Sequence, residues 1–478
     1  MKKHCSVIAL LALLAGCATV GPDFKMPEQA STATYRHAGQ TAAATIPVRW
    51  WQAFNDPALN RLVDSALAGS PTIRAAASRL VQAEALYGRT RADQLPTVNL
   101  GAGVSNLRTS ANTAQGIALG RNAINGNQFT TGIALGYELD LWGKIHRAVE
   151  GADAQVLAAH YDRDKVMLLL TSQVAATYWQ LRGVDAEIMI VEDALANRLE
   201  TLQLVEGRFA GGLANELDVS RARIEYSNAG ADLHESRRQR NLLEHSLAAL
   251  TGASPSVPLL PPVNVTVGPR LPEPPLIPTG LPATLLAQRP DLAESVENLR
   301  TANARIGIAE ADFYPTIQLT GNFGYASEGL QDVLKSSSQQ YSLGPLSLTL
   351  PLFDGGRNKA NLAYAGARYD EALAHHQELM LNALREVEDS LSDSEQRARQ
   401  GEEQAQAQLA AARAHAVAMK RYEKGVANFL DVTDAQRSSL AADRAVVRNK
   451  TQRLLAAVSV AHALGGGWQG KQGGDGSL

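Results

Sequence analysis

The chain has little cysteine, few aromatic residues and no excess of basic charge. Its 478 residues include two cysteines, and aromatic side chains make up 5% of them. Cys5 falls in a leader that is expected to be removed, so the mature chain keeps one cysteine. That excludes an internal disulfide and a cysteine-based metal cluster. Few aromatics beside abundant alanine and leucine favour long packed helices over a compact core. The formal charge is −3, and loss of Lys2 and Lys3 takes it to about −5, leaving no basic face for a nucleic acid. Neither a G-x-x-x-x-G-K-[ST] nor a G-x-S-x-G motif is present, so any energy must come from a partner. His234-Glu235 starts as a zincin motif would, but the next histidine is His245, and the two-histidine helix face is missing. His375 and His376 are adjacent, point to different sides of a helix, and read as exposed histidines rather than ligands. No catalytic residue, metal ligand or cofactor is expected, and the chain is not expected to be an enzyme.

The first sixteen residues read as a targeting segment. Lys2 and Lys3 supply the charge, and Val7 to Leu14 supply an apolar run too short to span a bilayer. The run ends Leu14-Ala15-Gly16-Cys17, which resembles the lipobox of bacterial lipoproteins. Residues 1–16 are then a signal peptide and Cys17 carries a covalent lipid. Ala18, rather than the aspartate associated with inner-membrane retention, gives the outer membrane as the address.

What the chain does have is a tandem repeat. Arg208 opens R-F-A-G-G-L-A-N-E-L-D-V-S-R-A-R, and 213 residues later Arg421 opens R-Y-E-K-G-V-A-N-F-L-D-V-T-D-A-Q, with half of the paired positions identical. Upstream, A-D-Q-L-P-T-V-N-L from Ala92 is echoed by A-D-F-Y-P-T-I-Q-L from Ala311. Echoes this far apart, in the same order, mean a duplicated unit rather than a short-period solenoid.

Each unit is expected to run short helix, two strands, very long helix, glycine break, long helix. In the first, Asp56-Pro57 and Ser70-Pro71 start helical patterns that reach about Asp93; the counterpart starts near Leu281-Pro282 and reaches about Asp312. After Pro96 and Pro315 the period changes to two. Val98, Leu100, Ala102 and Val104 alternate with small or polar residues, as do Ile133 to Leu141, Ile317 to Tyr325 and Leu346 to Leu352. Strands of about ten residues with a small or polar second face suit a membrane barrel, although a soluble half-buried sheet alternates too. Four such strands cannot close, and hydrocarbon does not tolerate an open edge, so membrane-spanning strands would require oligomerisation. Loops at about 106–127 and 326–340 are rich in Gly, Asn and Ser.

Helical stretches follow at about Lys144–Thr251 and Lys359–Leu464. In the first, Val174, Tyr178, Leu181, Val184, Ile188, Val191, Leu195, Leu199 and Leu202 form one stripe at coiled-coil spacing. The breaks at Gly211-Gly212 and Gly425 read as hairpin turns. The expected division is a tether at 17–52, a first repeat at 53–253, a Pro-rich linker at 254–282, a second repeat at 283–465 and a disordered tail at 466–478.

Together, the lipobox, the Trp50-Trp51-Phe54-Asp56-Pro57 entry, both A-D-x-x-P-T strand starts, both R-x-x-x-G-x-x-x-x-x-D-V breaks and the G-G-G-W ending resemble the TolC-like outer membrane factors, in their lipidated NodT-type branch. The resemblance covers nearly the whole chain. It implies a mainly α fold with a membrane β-barrel portion, built as a homotrimer whose twelve-stranded barrel continues into a periplasmic coiled-coil α-barrel. It also implies a passive duct for small-molecule efflux, working with a periplasmic adaptor and an inner-membrane pump. By the same resemblance the breaks lie at the periplasmic tip. Leu430, Asp431 and Asp434 would ring the aperture, with Asp218 and Arg221 at the matching break and Tyr422 in a restraining hydrogen-bond network. Gly212, Leu213, Gly425 and Val426 would meet the adaptor. Asp218 and Asp431 equally suit the first turn of a return helix, and Ala427 stands where some relatives carry a restraining arginine. Arg221 or Arg223 is a candidate partner for Asp431 or Asp434. A type I protein secretion duct, and a lipid-anchored periplasmic spacer without a pore, are the alternatives.

Overall fold

Local capping chemistry sets where the helices begin. Asp56 Oδ1 accepts from the backbone N–H groups of Ala58 and Leu59 at 2.8 and 3.2 Å, and Pro57 occupies the first helical position, which needs no donor. The computed structural model describes residues 19–27, 35–37, 46–118, 120, 123, 125–260, 271–278 and 288–468. A 3₁₀ turn at Trp50–Phe54 precedes α1 (Pro57–Gly69) and α2 (Pro71–Ala92). Strand β1 (Thr97–Arg108), the short α3 (Ala114–Ala118) and β2 (Asn125–Leu139) follow, then α4 (Lys144–Ala210) and α5 (Glu216–Thr251). The second repeat gives α6 (Pro290–Ala311), β3 (Thr316–Ser327), β4 (Gln339–Thr349), α7 (Arg357–Glu423) and α8 (Phe429–Ala463). Helices α4 and α7 each hold 67 residues, roughly 100 Å at 1.5 Å per residue. No described helix is long and apolar enough to cross a membrane. The expected start of α6 at Leu281-Pro282 lies outside the described residues.

Two units emerge from the packing, and each draws on both repeats. The first comprises Met1–Pro27, Arg79–Ala159 and Ser295–His376. It holds a four-stranded antiparallel sheet in the order β1-β2-β3-β4. The two hairpins, one per repeat, join through β2 and β3, where Gly132 faces Gly324 and Ile133 faces Phe323. A Cβ on Gly324 would lie 2.3 Å from the Thr131 carbonyl oxygen, and one on Gly132 would lie 2.7 Å from that of Phe323. Gly324→Val is therefore expected to force this seam apart at a cost of about 1–3 kcal/mol. Lower heat resistance of the folded protein on a denaturing gel would report it, and an unchanged melting profile would contradict it. The outer strands β1 and β4 each leave one edge unpaired, and Leu100, Val104, Leu343 and Leu348 are exposed. β4 ends at Thr349 rather than Leu352, ahead of Pro351, which has no N–H for a ladder; β2 stops at Leu139 rather than Leu141, where the Leu141 N–H turns back onto the Leu139 carbonyl at 3.0 Å.

Within this unit the segment after Val20 is not a free tether. Buried Arg147 donates to the carbonyls of Val20 and Gly21 and to Asp23 Oδ1, at 3.2, 3.1 and 2.9 Å, and Asn303 donates to the Pro22 carbonyl at 2.7 Å. His376 also departs from expectation. It is 2% exposed, with Nδ1 2.7 Å from Ser295 Oγ, because α6 packs over its face of α7.

The second unit comprises Glu28–Ser78, His160–Glu294 and Gln377–Leu478. Its core gathers Trp50, Trp51 and Phe54 against Tyr178 and Trp179 of α4, with Leu59, Val63 and Leu454 beside them. Trp50 and Trp51 thus belong to the core and not to a tether. Tyr178 Oη donates to Asp56 Oδ2 at 2.7 Å, so one aspartate both caps α1 and fixes α4. The expected stripe is buried at Val174, Tyr178, Leu181, Ile188, Val191 and Leu202, while Leu199 is exposed. The described parts of the Pro-rich segment are docked: Leu259 and Leu260 N–H donate to Glu244 Oε1, and Glu273 pairs with Lys450 and Arg453. Gly466 N–H donates to the Ala461 carbonyl, and Trp468 Nε1 donates to Asp164 Oδ2 at 3.0 Å. Order therefore extends through Trp468, past the expected boundary at 466.

Arg289 ties three elements of this unit. It pairs with Asp291 at 2.7 Å and Glu386 at 2.8 Å, and donates to the Ala463 carbonyl at 3.1 Å. Burial works against the Asp291 charge, but the Arg289 hydrogen bond and charge win and hold its pKa below the ordinary aspartate value. A depressed pKa stabilises the fold above the unfolded-state value near 3.9 and loses that contribution as pH falls through the folded value. Thermal stability should therefore decline below about pH 4, and Arg289→Ala should cost about 3–5 kcal/mol at neutral pH by stranding Asp291. A melting temperature unchanged in the variant would contradict this.

Candidate functional site

The sixteen-residue echo of the repeat, half of it identical, spans the two chain reversals, which are built alike. Past α4, Gly212 N–H donates to the Phe209 carbonyl at 2.9 Å and Leu213 N–H to that of Arg208 at 2.8 Å. Past α7, Gly425 N–H donates to Tyr422 and Val426 N–H to Arg421, at 2.8 and 2.9 Å. This pairing ends a helix through one left-handed residue, and φ is +73° at Gly212 and +72° at Gly425. The return helices start on asparagine. Asn215 Oδ1 accepts from Asp218 N–H at 2.9 Å, and Asn428 Oδ1 from Asp431 N–H at 3.0 Å. The capping oxygen is thus the asparagine's, and Asp218 and Asp431 sit in the first turn, where a carboxylate meets the helix dipole.

The two hairpin tips of the chain pack on each other. Leu202 and Val205 of α4, Ala222 of α5, Tyr422 of α7, and Phe429 and Val432 of α8 make one buried cluster. Arg208 closes over it. Its guanidinium carbon lies 4.7 Å from the Tyr422 ring centroid, and Nη1 donates to the Tyr422 and Glu423 carbonyls at 3.1 and 3.3 Å. Carbonyls at a helix end lack intrahelical donors, so a cationic side chain suits them. Further along, a buried charge knot joins three helices. Glu225 of α5 meets Arg198 of α4 at 3.2 Å and accepts from Arg437 Nε of α8 at 2.8 Å. Gln436 Nε2 donates to Thr201 Oγ1 at 3.0 Å beside it.

The candidate residues separate into two faces. Asp431 and Asp434 are exposed, three residues apart on one side of α8, with Leu430 41% exposed on the same side. Asp218 and Arg221 approach each other at 3.8 Å within α5, and Arg223 pairs with Glu206 at 2.8 Å. In this chain neither arginine reaches Asp431 or Asp434, and each is engaged by a carboxylate close to it on the first hairpin. Tyr422 is buried and its hydroxyl has no partner among the described residues, so the ring and main chain, rather than the hydroxyl, are what Arg208 holds. Burial pushes the Tyr422 phenol up. Leu213 and Val426, 74% and 63% exposed, project at the turns, and the space where Gly212 and Gly425 would carry a Cβ is open. Cys17 lies outside the described residues. Sequence reasoning overlooked Asn215, Asn428 and Arg208, although all three stand at identical positions of the two repeats. The Glu225 knot had no such signal.

The model of the family described as "Outer membrane efflux protein" matches residues 62–253 and 281–466. The outer membrane protein OprJ of Pseudomonas aeruginosa is 34% identical over 464 residues, covering 96% of this chain and 95% of that one. Among solved structures, the outer-membrane channel OprN is similar at a TM-score of 0.87 and 30% identity, over 95% of this chain and all of that one (100%). The Campylobacter jejuni CmeC outer membrane channel is similar at a TM-score of 0.87 and 25% identity, over 95% of this chain and 96% of that one.

Proposed function

The chain belongs to the outer membrane efflux protein family, whose members are passive outer-membrane channels and not enzymes, and from that premise we propose that three copies close into one export duct. The observation that carries this reading is the open sheet. Its β1 and β4 edges are unpaired, and apolar side chains on both strands are exposed. An open edge in hydrocarbon is costly, and membrane barrels begin at about eight strands. Pairing β1 of one copy with β4 of the next removes every edge and gives twelve strands.

In this reading Asp431, Asp434 and Leu430 of the three copies encircle the narrow end of the duct, where clustered carboxylates favour cations and repel anions. Leu213 and Val426 seat in a periplasmic adaptor that links the duct to an inner-membrane pump. A lipid on Cys17 holds the chain start at the outer membrane, and Arg147 fixes the segment just after it. The cargo is small molecules chosen by the pump and adaptor. Native mass spectrometry of protein extracted from outer membranes tests the assembly. Three copies per particle are expected, and a monomer or dimer as the main species would overturn the closed duct.

A further inference from the structure

The internal repeat allows one contact within the chain to predict another between chains. A shift of 213 positions turns Arg208 into Arg421, Tyr422 back into Phe209, and Glu423 back into Ala210. The observed clamp runs from the first hairpin, Arg208, to the end of the second, Tyr422 and Glu423. Its image under the repeat runs from the second hairpin, Arg421, to the end of a first hairpin. Within one chain the first hairpin meets the second through the Arg208 clamp, and among the described residues Arg421 reaches no carbonyl of the first hairpin. A following copy supplies that acceptor.

We propose that Arg421 is the intersubunit counterpart of Arg208, its guanidinium donating to the Phe209 and Ala210 carbonyls on the first hairpin of a second copy of this chain. The inference rests on the trimeric reading above. Three features support it. Arg421 is exposed, and no hydrogen bond or ion pair engages its side chain among the described residues. Phe209, the ring that would lie under it, is 47% exposed at the end of α4. The acceptor end is preformed, because Phe209 and Tyr422 take part in the same helix-ending pattern, each accepting from a left-handed glycine. Phenylalanine in place of tyrosine costs the clamp nothing, since the Tyr422 hydroxyl is unpaired and it is the ring that faces Arg208.

The same shift shows what this second seam lacks. Ser438 stands where Glu225 does, Ala411 where Arg198 does, Ile224 where Arg437 does, and Glu216 where Phe429 does. The buried charge knot and the aromatic plug are therefore not repeated. The Arg421 clamp is the polar tie that carries over, so the seams between copies are the weaker ones and separate first when the tip opens.

Cysteine pairs read the geometry directly. Arg421→Cys with Ala210→Cys, treated with a short bifunctional thiol reagent, is expected to give denatured bands of two and three chains. Arg208→Cys with Glu423→Cys, the template contact, should link within one chain and give no such ladder. Native mass spectrometry of both variants accompanies the gels. Trimers without a ladder from the first pair would overturn the clamp and leave the trimer standing, whereas absence of trimers in the unmodified protein would overturn both. In planar bilayers Arg421→Gln should raise the resting open fraction on the order of tenfold. A resting conductance equal to that of the parent protein would count against the clamp.

Discussion

Glu225→Ala is expected to destabilise the protein by about 3–5 kcal/mol and to raise its resting conductance, because it strands a buried guanidinium. The side chains of Arg198 and Glu225 are 8% and 6% exposed. Burial already lowers the Arg198 pKa against the opposing effect of Glu225, so the guanidinium sits where charge is poorly solvated. Removing the carboxylate leaves Arg198 with the Glu225 main-chain carbonyl at 2.9 Å as its remaining acceptor on that residue. The knot spans α4, α5 and α8, so its loss frees the second hairpin from the first as well as weakening one helix. Arg437→Ala should cost far less, about 1 kcal/mol, since its side chain is 57% exposed. Thermal unfolding followed by circular dichroism, with conductance measured on the same preparations, checks the ranking. Equal losses from the two variants would mean that the buried pair is not what holds the tip.

Gly425→Arg should abolish efflux while leaving the trimer intact, the second large effect. The φ of +72° costs any residue with a Cβ roughly 1–2 kcal/mol, a local charge on the turn and not on the assembly. Among the described residues nothing lies within 4 Å of the missing Cβ, so a side chain leaves the turn there without a clash. Asparagine tolerates the left-handed region, and Gly425→Asn therefore keeps the turn while adding little bulk. Drug tolerance of a deletion strain carrying each variant should drop at least about tenfold for arginine, the cost of an obstructed interface of about 1.4 kcal/mol or more, and much less for asparagine. Trimer loss in Gly425→Arg would show that the glycine serves the fold and not docking.

Much of this was legible in the sequence, for identifiable reasons. Period-two and period-three-four patterns revealed all four strands and both long helices, because each element buries or presents one face along its length, although β2 and β4 start inside the expected loops, at Asn125 and Gln339, and end earlier than the alternation. The breaks were legible twice over, since a left-handed turn demands glycine and the repeat set Gly212 beside Gly425. What the sequence hid were contacts between distant positions. Glu225 meets Arg198 and Arg437 through helix packing that no local spacing reveals. His376 reads as exposed until α6 covers it with Ser295. Trp50 and Trp51 read as the end of a tether, whereas they fill a core completed by Tyr178 and Trp179. At the site itself, helix-start chemistry drew attention to Asp218 and Asp431, but the asparagines three residues earlier stand at the cap position and accept from the backbone N–H groups of those aspartates. Arg208 was visible as the first letter of the motif, yet its role depends on the second hairpin lying against it.

In the duct proposed above, Asp431 and Asp434 of the three copies ring a narrow, gated end. Single-channel conductance of the purified protein in planar bilayers, compared with the Asp431→Ala and Asp434→Ala double variant, tests it most directly. A small, cation-preferring conductance is expected in the parent and a larger or less selective one in the variant. No conductance from either protein, despite verified membrane insertion, would contradict the duct. An identical conductance and selectivity in both would contradict the placement of its gate.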